Sequence, residues 1–188
     1  MPELEIINGP ITVYWAPVGE AFTAIGSAPA GNWLKIGTSG DKNYSEDGVV
    51  VSMEKTVEYF RSLGSPFPRK GFITEADILV TVSMADMSLA QMRLALNQNV
   101  VTTSSPTDTI ELDVGLDPSE IALMIRGEGK SPQLSGGAMQ YQLNRVVEEG
   151  SRELAHIKGE PVMAELTFRV IYDDGVSNPA GALVVEIA

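Results

Sequence analysis

Residues 48–60 alternate with a period of two: Val49, Val51, Met53, Val57 and Tyr59 fall on one face, and Ser52, Glu54, Thr56 and Glu58 on the other. That is the pattern of a long β-strand with one face toward a core. Residues 75–84 repeat it, with Ala76, Ile78, Val80, Val82 and Met84 set against Glu75, Asp77, Thr81 and Ser83. Two such strands close together in sequence point to one sandwich, each offering an apolar face inward and a polar face outward.

Between them lies RSLGSPFPRKG, residues 61–71. Its two prolines and two glycines forbid a regular strand. Phe67, Arg69 and Lys70 give it an exposed apolar group and positive charge. The plainer role is a solvated hairpin loop, because most connections carry no function; the sharper one is a loop that reaches a neighbouring molecule.

A short helix is expected at about 88–97. Ser88 is placed as its N-cap, Gln91 as the capping-box partner, and Met87 with Met92 as a hydrophobic staple. Leu89, Met92 and Leu96 share one face, and Asn97 suits the left-handed conformation that ends a helix.

The chain then returns to strands. Ile110, Leu112 and Val114 alternate with acids, as do Ile121, Leu123 and Ile125 beyond an Asp117-Pro118 turn, which suggests a hairpin or neighbouring strands. Residues 138–148 and 162–172 form longer alternating runs, and Leu183, Val185 and Ile187 a last short one. With 11–15 and 33–36, about eight or nine mostly antiparallel strands are expected. The fold class is therefore mainly β, a β-sandwich or barrel with one flanking helix and a long loop at about 61–74. The 188 residues hold no linker long enough to separate a second domain, so 1–188 is taken as one domain with an extended N-terminal segment 1–10.

Charge narrows the function. The formal net charge of −12 is spread along the chain, with no basic stripe for gripping phosphates. It suits solubility and equally a surface to which nucleic acid must not adhere. With no cysteine, neither disulfides nor thiolate metal sites are available. The N-terminus carries acids and a proline where a secretory signal needs bases and an apolar run, and no stretch is apolar enough for a membrane span. A soluble intracellular protein is expected.

Residue patterns for chemistry fail on inspection. Residues 127–131, GEGKS, lack the earlier glycine of a phosphate-binding loop, having Met124 there, and Pro132 follows where a helix is required. Asp41, Asn43, Ser45 and Asp47 have calcium-loop spacing, but Glu46 stands at the obligatory glycine and Ser52 at the bidentate glutamate. His156 is the single histidine, and no serine sits in a nucleophile-elbow context. Glu148-Glu149 and Asp173-Asp174 are neighbours that point to opposite faces of a strand. Trp15 and Trp33 suit core packing better than sugar stacking. No catalytic residue, metal or cofactor is assigned.

The order of pieces resembles the tail tube, or major tail, proteins of long-tailed bacteriophages. The likeness rests on Trp33-Leu34-Lys35-Ile36-Gly37, Tyr44-Ser45-Glu46-Asp47-Gly48-Val49, the loop through Arg69, the strand at 75–84 and residues 86–97. It continues through Arg126-Gly127, the run from Tyr141 to Val147 and the strand closing on Asp173. The resemblance implies a β-sandwich with a flanking helix, six copies in a ring, and rings stacked into a hollow tube through which DNA passes without specific binding. The tubes of contractile tails and of secretion systems share this fold; the long loop favours the noncontractile tail.

The implied partners are the chain itself, a tape-measure protein and tail-tip or terminator proteins; the implied location is the virion tail, after assembly in the bacterial cytoplasm. On this likeness Arg61, Phe67, Arg69 and Lys70 form a candidate subunit-interface loop. Gln140, Gln142, Asn144, Glu165 and Thr167 are candidate lumen-facing positions. The alternatives are another virion component, such as a terminator or decoration protein, a sandwich module binding carbohydrate or a cell surface, and, last, an enzyme.

Overall fold

Seven strands lie side by side in one antiparallel sheet that turns over on itself. In the computed structural model, which describes residues 9–85, 88–113, 115–150, 154, 156, 158–159 and 162–187, the order starts with β2 (Leu34–Lys35), β1 (Thr12–Pro17), β7 (Glu120–Gly127) and β8 (Met139–Glu148). It continues with β9 (Ala164–Val170), β4 (Lys70–Met84) and β3 (Tyr44–Phe60). On one edge β8 meets β9 through 146–148 and β10 (Ala182–Val185) through 139–142. Its register with β9 is only three pairs long, and there the sheet turns, so that β9, β4 and β3 lie over β1, β7 and β8.

One core joins the two halves. Val13, Trp15, Leu123, Ile125 and Leu143 meet Val80, Val82, Leu166 and Phe168, all nearly inaccessible to solvent. The result is a mainly β, sandwich-like fold that stays open, with β2 and β3 as its ends; it is not a closed barrel. No helix among the described residues is long and apolar enough to cross a membrane.

The second face of β1–β7–β8 is covered as well. The segment after β1 folds back so that Phe22 stacks on Trp33 at 5.2 Å, over Ala16, Ala122 and Met124. Trp33 Nε1 donates to the Ala21 carbonyl at 2.9 Å. Gln140, at 0% exposure, donates through Nε2 to the Thr23 carbonyl at 3.1 Å, and Arg126 donates to the Ile25 carbonyl. Both tryptophans are buried core residues, as expected.

Several sequence expectations need correction. Residues 110–113 form no strand, because β7 is already paired on both edges, by β1 and β8. A small hairpin forms just before them instead, β5 (Thr102–Ser104) with β6 (Thr107–Thr109). The strand β4 begins at Lys70, so the long loop is 61–69, shorter than the expected 61–74.

The helix α1 (Leu89–Ala95) is present with Ser88 as N-cap, but no cap bond runs from the Ser88 side chain. Its buried face is Gln91, Leu94 and Ala95, while Leu89, Met92 and Leu96 are half-buried. Gln91 has a different role from the capping box: Oε1 accepts from the Gly37 N–H at 2.9 Å, and Nε2 donates to the Lys35 carbonyl at 3.4 Å. Met87, the staple residue, lies outside the described residues. Asn97 does adopt the left-handed conformation, at φ 52°.

Tyr44, the first residue of β3, closes the same node. Its hydroxyl donates to the Ile36 carbonyl at 2.8 Å and accepts the Val13 N–H at 3.0 Å, while its ring lies against Gly37, whose φ is +79°. A side chain at 37 would meet the Gly40 carbonyl oxygen and the Asn43 Cβ at 3.0 and 3.1 Å, in a backbone region that L-residues rarely adopt. Thus three stretches far apart in sequence, Val13 on β1, residues 36–44 and Gln91 on α1, converge on one hydrogen-bonded corner.

Tyr44→Phe leaves the Val13 N–H and the Ile36 carbonyl without that partner and is expected to cost about 1–3 kcal/mol in urea unfolding. Burial also pushes the Tyr44 phenol above its ordinary value. A value raised in the folded state gives stability that is intact below about pH 10 and lost as pH climbs from there toward the folded value. Urea unfolding at about pH 8 and about pH 11 should therefore show a steeper alkaline loss for the native chain than for Tyr44→Phe.

Candidate assembly interface

β4 carries on far past its partner. Of its residues 70–84, only 79–84 pair with β9; the rest pair with β3 alone. Residues 53–60 and 70–78 thus form a two-stranded arm, which at about 3.3 Å per residue projects about 23 Å along 53–60. No residue from 41 to 79 is fully buried.

The apolar face of the arm extends that of the core, interrupted by Lys55 opposite Ala76. Val49 faces Val82 and Val51 faces Val80 inside the sandwich; Met53 then faces Ile78, and Val57 faces Ile73 beyond it. A β-bulge between Thr56 and Val57 keeps the stripe on this side. Tyr59 and Val57 lean over Gly71, where a side chain would meet both at 3.3 Å. Met53 at 65%, Ile73 at 63% and Tyr59 at 61% exposure leave this stripe largely in water. The sequence pattern assigns Met53, Val57 and Tyr59 to a core face, and the face is right, but the core ends before them.

The tip holds the candidate loop together by its own bonds. Arg61 Nη1 donates to the Pro66 carbonyl at 3.2 Å, Ser65 Oγ to that of Phe67 at 3.0 Å, and the Arg69 N–H to that of Phe60 at 2.9 Å. Phe67 is 76% exposed. Lys70 Nζ sits 5.0 Å above the Phe72 ring. The structure therefore brings Arg61, Phe67, Arg69 and Lys70 to one place, and none of the three bases is in an ion pair among the described residues.

The root of the arm is braced. Arg169 on β9 binds Asp77 on β4 and Glu149 beyond β8, each at 2.7 Å. These hydrogen bonds, to Glu149 first and then to Asp77, raise the Arg169 pKa. The site is exposed, so such pairs orient more than they stabilise.

The candidate lumen positions do not form one surface. Gln140 is buried beneath the segment after β1, so it is not a wall residue. Gln142 faces Ala182, and Asn144 Nδ2 donates to the Asn178 carbonyl at 2.8 Å, both on the outer side of β8. Glu165 and Thr167 lie on the outer side of β9, opposite Ser83 and Thr81 and across the core from β8. The arm as a whole is what sequence reasoning underplays; its signal is a strand of 17 residues, about three times the usual length.

The remaining candidates fall into local structure. Asp41 accepts from Thr12 Oγ1 at 3.4 Å and Asn43 from the Ser39 N–H at 2.5 Å, both at the 3-10 turn Gly40–Asn43. Ser131 Oγ donates to the Glu186 carbonyl at 2.6 Å. His156 is exposed. No protein-family model matches this chain, and no curated protein matches it.

Because no residue of the arm is fully buried, the body should fold without it. Glu54 faces Asp77 across the hairpin. A variant that deletes 55–76 and joins these two through Asn-Gly is expected to keep the native unfolding midpoint in urea. Loss of cooperative unfolding would show the arm to be part of the folding unit.

Proposed function

We propose that the chain is a structural subunit that assembles with copies of itself into rings stacked as a hollow tube, of the kind that forms the tail of long-tailed bacteriophages. The observation that carries this reading is the arm: an apolar stripe and a basic tip held out from an acidic chain, with no cover of their own. Two-stranded ribbons are marginal in water on their own. Contact with a neighbour supplies what the arm lacks, since each large apolar side chain fully buried contributes about 1.5–3 kcal/mol.

Other features agree with this role. β3 is an end strand of 17 residues, a long unpaired edge of the sort that assemblies cover. A net charge of −12 keeps a tube wall from holding DNA in transit. Rings of six copies, a virion-tail location and contacts with tape-measure and tail-tip proteins belong to the same proposal. Burial of both tryptophans counts against a glycan-binding module, which needs an aromatic platform in solvent.

Negative-stain microscopy and sedimentation velocity of the purified protein test the reading: rings or tubes are expected. A monomer under all conditions, including seeding with tail tips, would refute it; rings that never lengthen would indicate a terminator. Arg69→Glu with Lys70→Glu should reduce polymer at least about tenfold while leaving the unfolding midpoint unchanged, because exposed charges set partner contacts more than folding. Unimpaired polymerisation would remove the tip from the interface.

A further inference from the structure

We propose that the arm tip of one copy docks in the cavity between the end of α1 and the 115–121 turn of a second copy, with the Phe67 ring as the inserted group. The proposal rests on the self-assembly reading above and names the surface that receives the arm.

Charge singles out the acceptor. Residues 61–70 carry Arg61, Arg69 and Lys70 and no acid. Between Arg93 and Arg126 the chain carries Asp108, Glu111, Asp113, Asp117 and Glu120 and no base. Glu120 is taken by Arg145. Asp108, Glu111, Asp113 and Asp117 are exposed and in no ion pair among the described residues, so the three uncompensated bases of the tip face a segment with four uncompensated acids. Opposed patches of this kind fix which surfaces meet.

Shape agrees. An open cavity of about 270 Å³ has Leu94, Ala95, Leu116, Pro118 and Ile121 on one part of its lining and Asn97, Gln98, Ser119, Glu148 and the Arg169-paired Glu149 on the rest. An apolar cavity of about 150 Å³ suffices for a benzene ring. Leu116 stands fully exposed beside it, as Leu63 does at the tip. A smaller apolar gap among Val51, Met53, Ile78 and Leu183 holds only about 90 Å³ and has no acid on its lining.

The acceptor is built in advance. Asn97, in its left-handed conformation, donates through Nδ2 to the Asp117 carbonyl at 2.8 Å, and Ser119 Oγ donates to the Asn97 carbonyl at 2.9 Å. Asn99 Nδ2 donates to the Glu111 carbonyl at 2.9 Å. A tip held by its own hydrogen bonds and a turn held by asparagine clamps lose little freedom on meeting. Tip and cavity are different surfaces, so each copy gives one and receives one, a head-to-tail contact, which forms a ring where its rotation closes and an open filament where it does not.

The absence of cysteine makes a clean test possible. Pro68→Cys with Leu116→Cys places the only two thiols beside Phe67 and at the cavity mouth. Mild oxidation of the assembled variant should give a ladder from dimer upward on non-reducing gels, collapsed by reductant, whereas either single variant, with no second thiol at the contact, should stay monomeric on the gel. Rings or tubes without a ladder would overturn the docking site and leave self-assembly standing. A native chain that never assembles would overturn both.

A charge swap decides independently. Asp113→Lys with Asp117→Lys, and Arg69→Glu with Lys70→Glu, should each lower polymer yield at least about tenfold, and the four together should recover most of it. No recovery in a folded quadruple variant would overturn the proposal even if the thiol variant fails to assemble.

Discussion

The structure turns on a mismatch of lengths. β9 has seven residues and reaches six of the fifteen in β4, so the inner half of the β3–β4 hairpin belongs to a sandwich and the outer half to nothing in the same chain. Alternation does not stop where the core stops. Val49, Val51, Val80 and Val82 are packed by the opposite sheet, whereas Met53, Ile73 and Tyr59 continue the same face into water. A protein that needed the hairpin only for its own stability would have no use for the outer half.

The inner end of the hairpin that carries the arm is anchored at a hydrogen-bonded corner. Tyr44 and Met84 are paired at the end of the hairpin away from the arm, and Tyr44 is bonded to β1 and to the residue after β2, which Gln91 ties to the helix. Such a buried, satisfied network fixes geometry more than it adds stability, since each member has one arrangement in which every polar group is met. Arg169 steadies the other side through Asp77. The arm is thus a long ribbon on a rigid mount, which suits repeated placement against neighbours.

Much of this is legible in the sequence, for identifiable reasons. The strands expected from period-two alternation at 48–60, 75–84, 138–148 and 162–172 are present as 44–60, 70–84, 139–148 and 164–170, and Asn97 marks the helix end. Residues 110–113 alternate equally well and yet form no strand, because pairing needs a free edge and β7 has none; Asn99 holds the Glu111 carbonyl instead. Gln91 has capping-box spacing, but a buried glutamine beside the Gly37 N–H and the Lys35 carbonyl serves those groups. Gln140 looks like an outward polar residue until the segment carrying Phe22 and Trp33 folds over it, and alternation within one strand carries no record of such a cover. The tip residues stand out in the sequence; how far the arm that bears them projects depends on where β9 ends.

The central claim is that the outer hairpin is an intermolecular element. Hydrogen–deuterium exchange at residues 53–60 and 70–78, compared between dilute protein and assembled polymer, tests it most directly. Fast exchange in the dilute protein and protection of at least about tenfold in the polymer, with the β7–β8 amides unchanged, is the expected result. Equal exchange of the arm in both states would contradict the account.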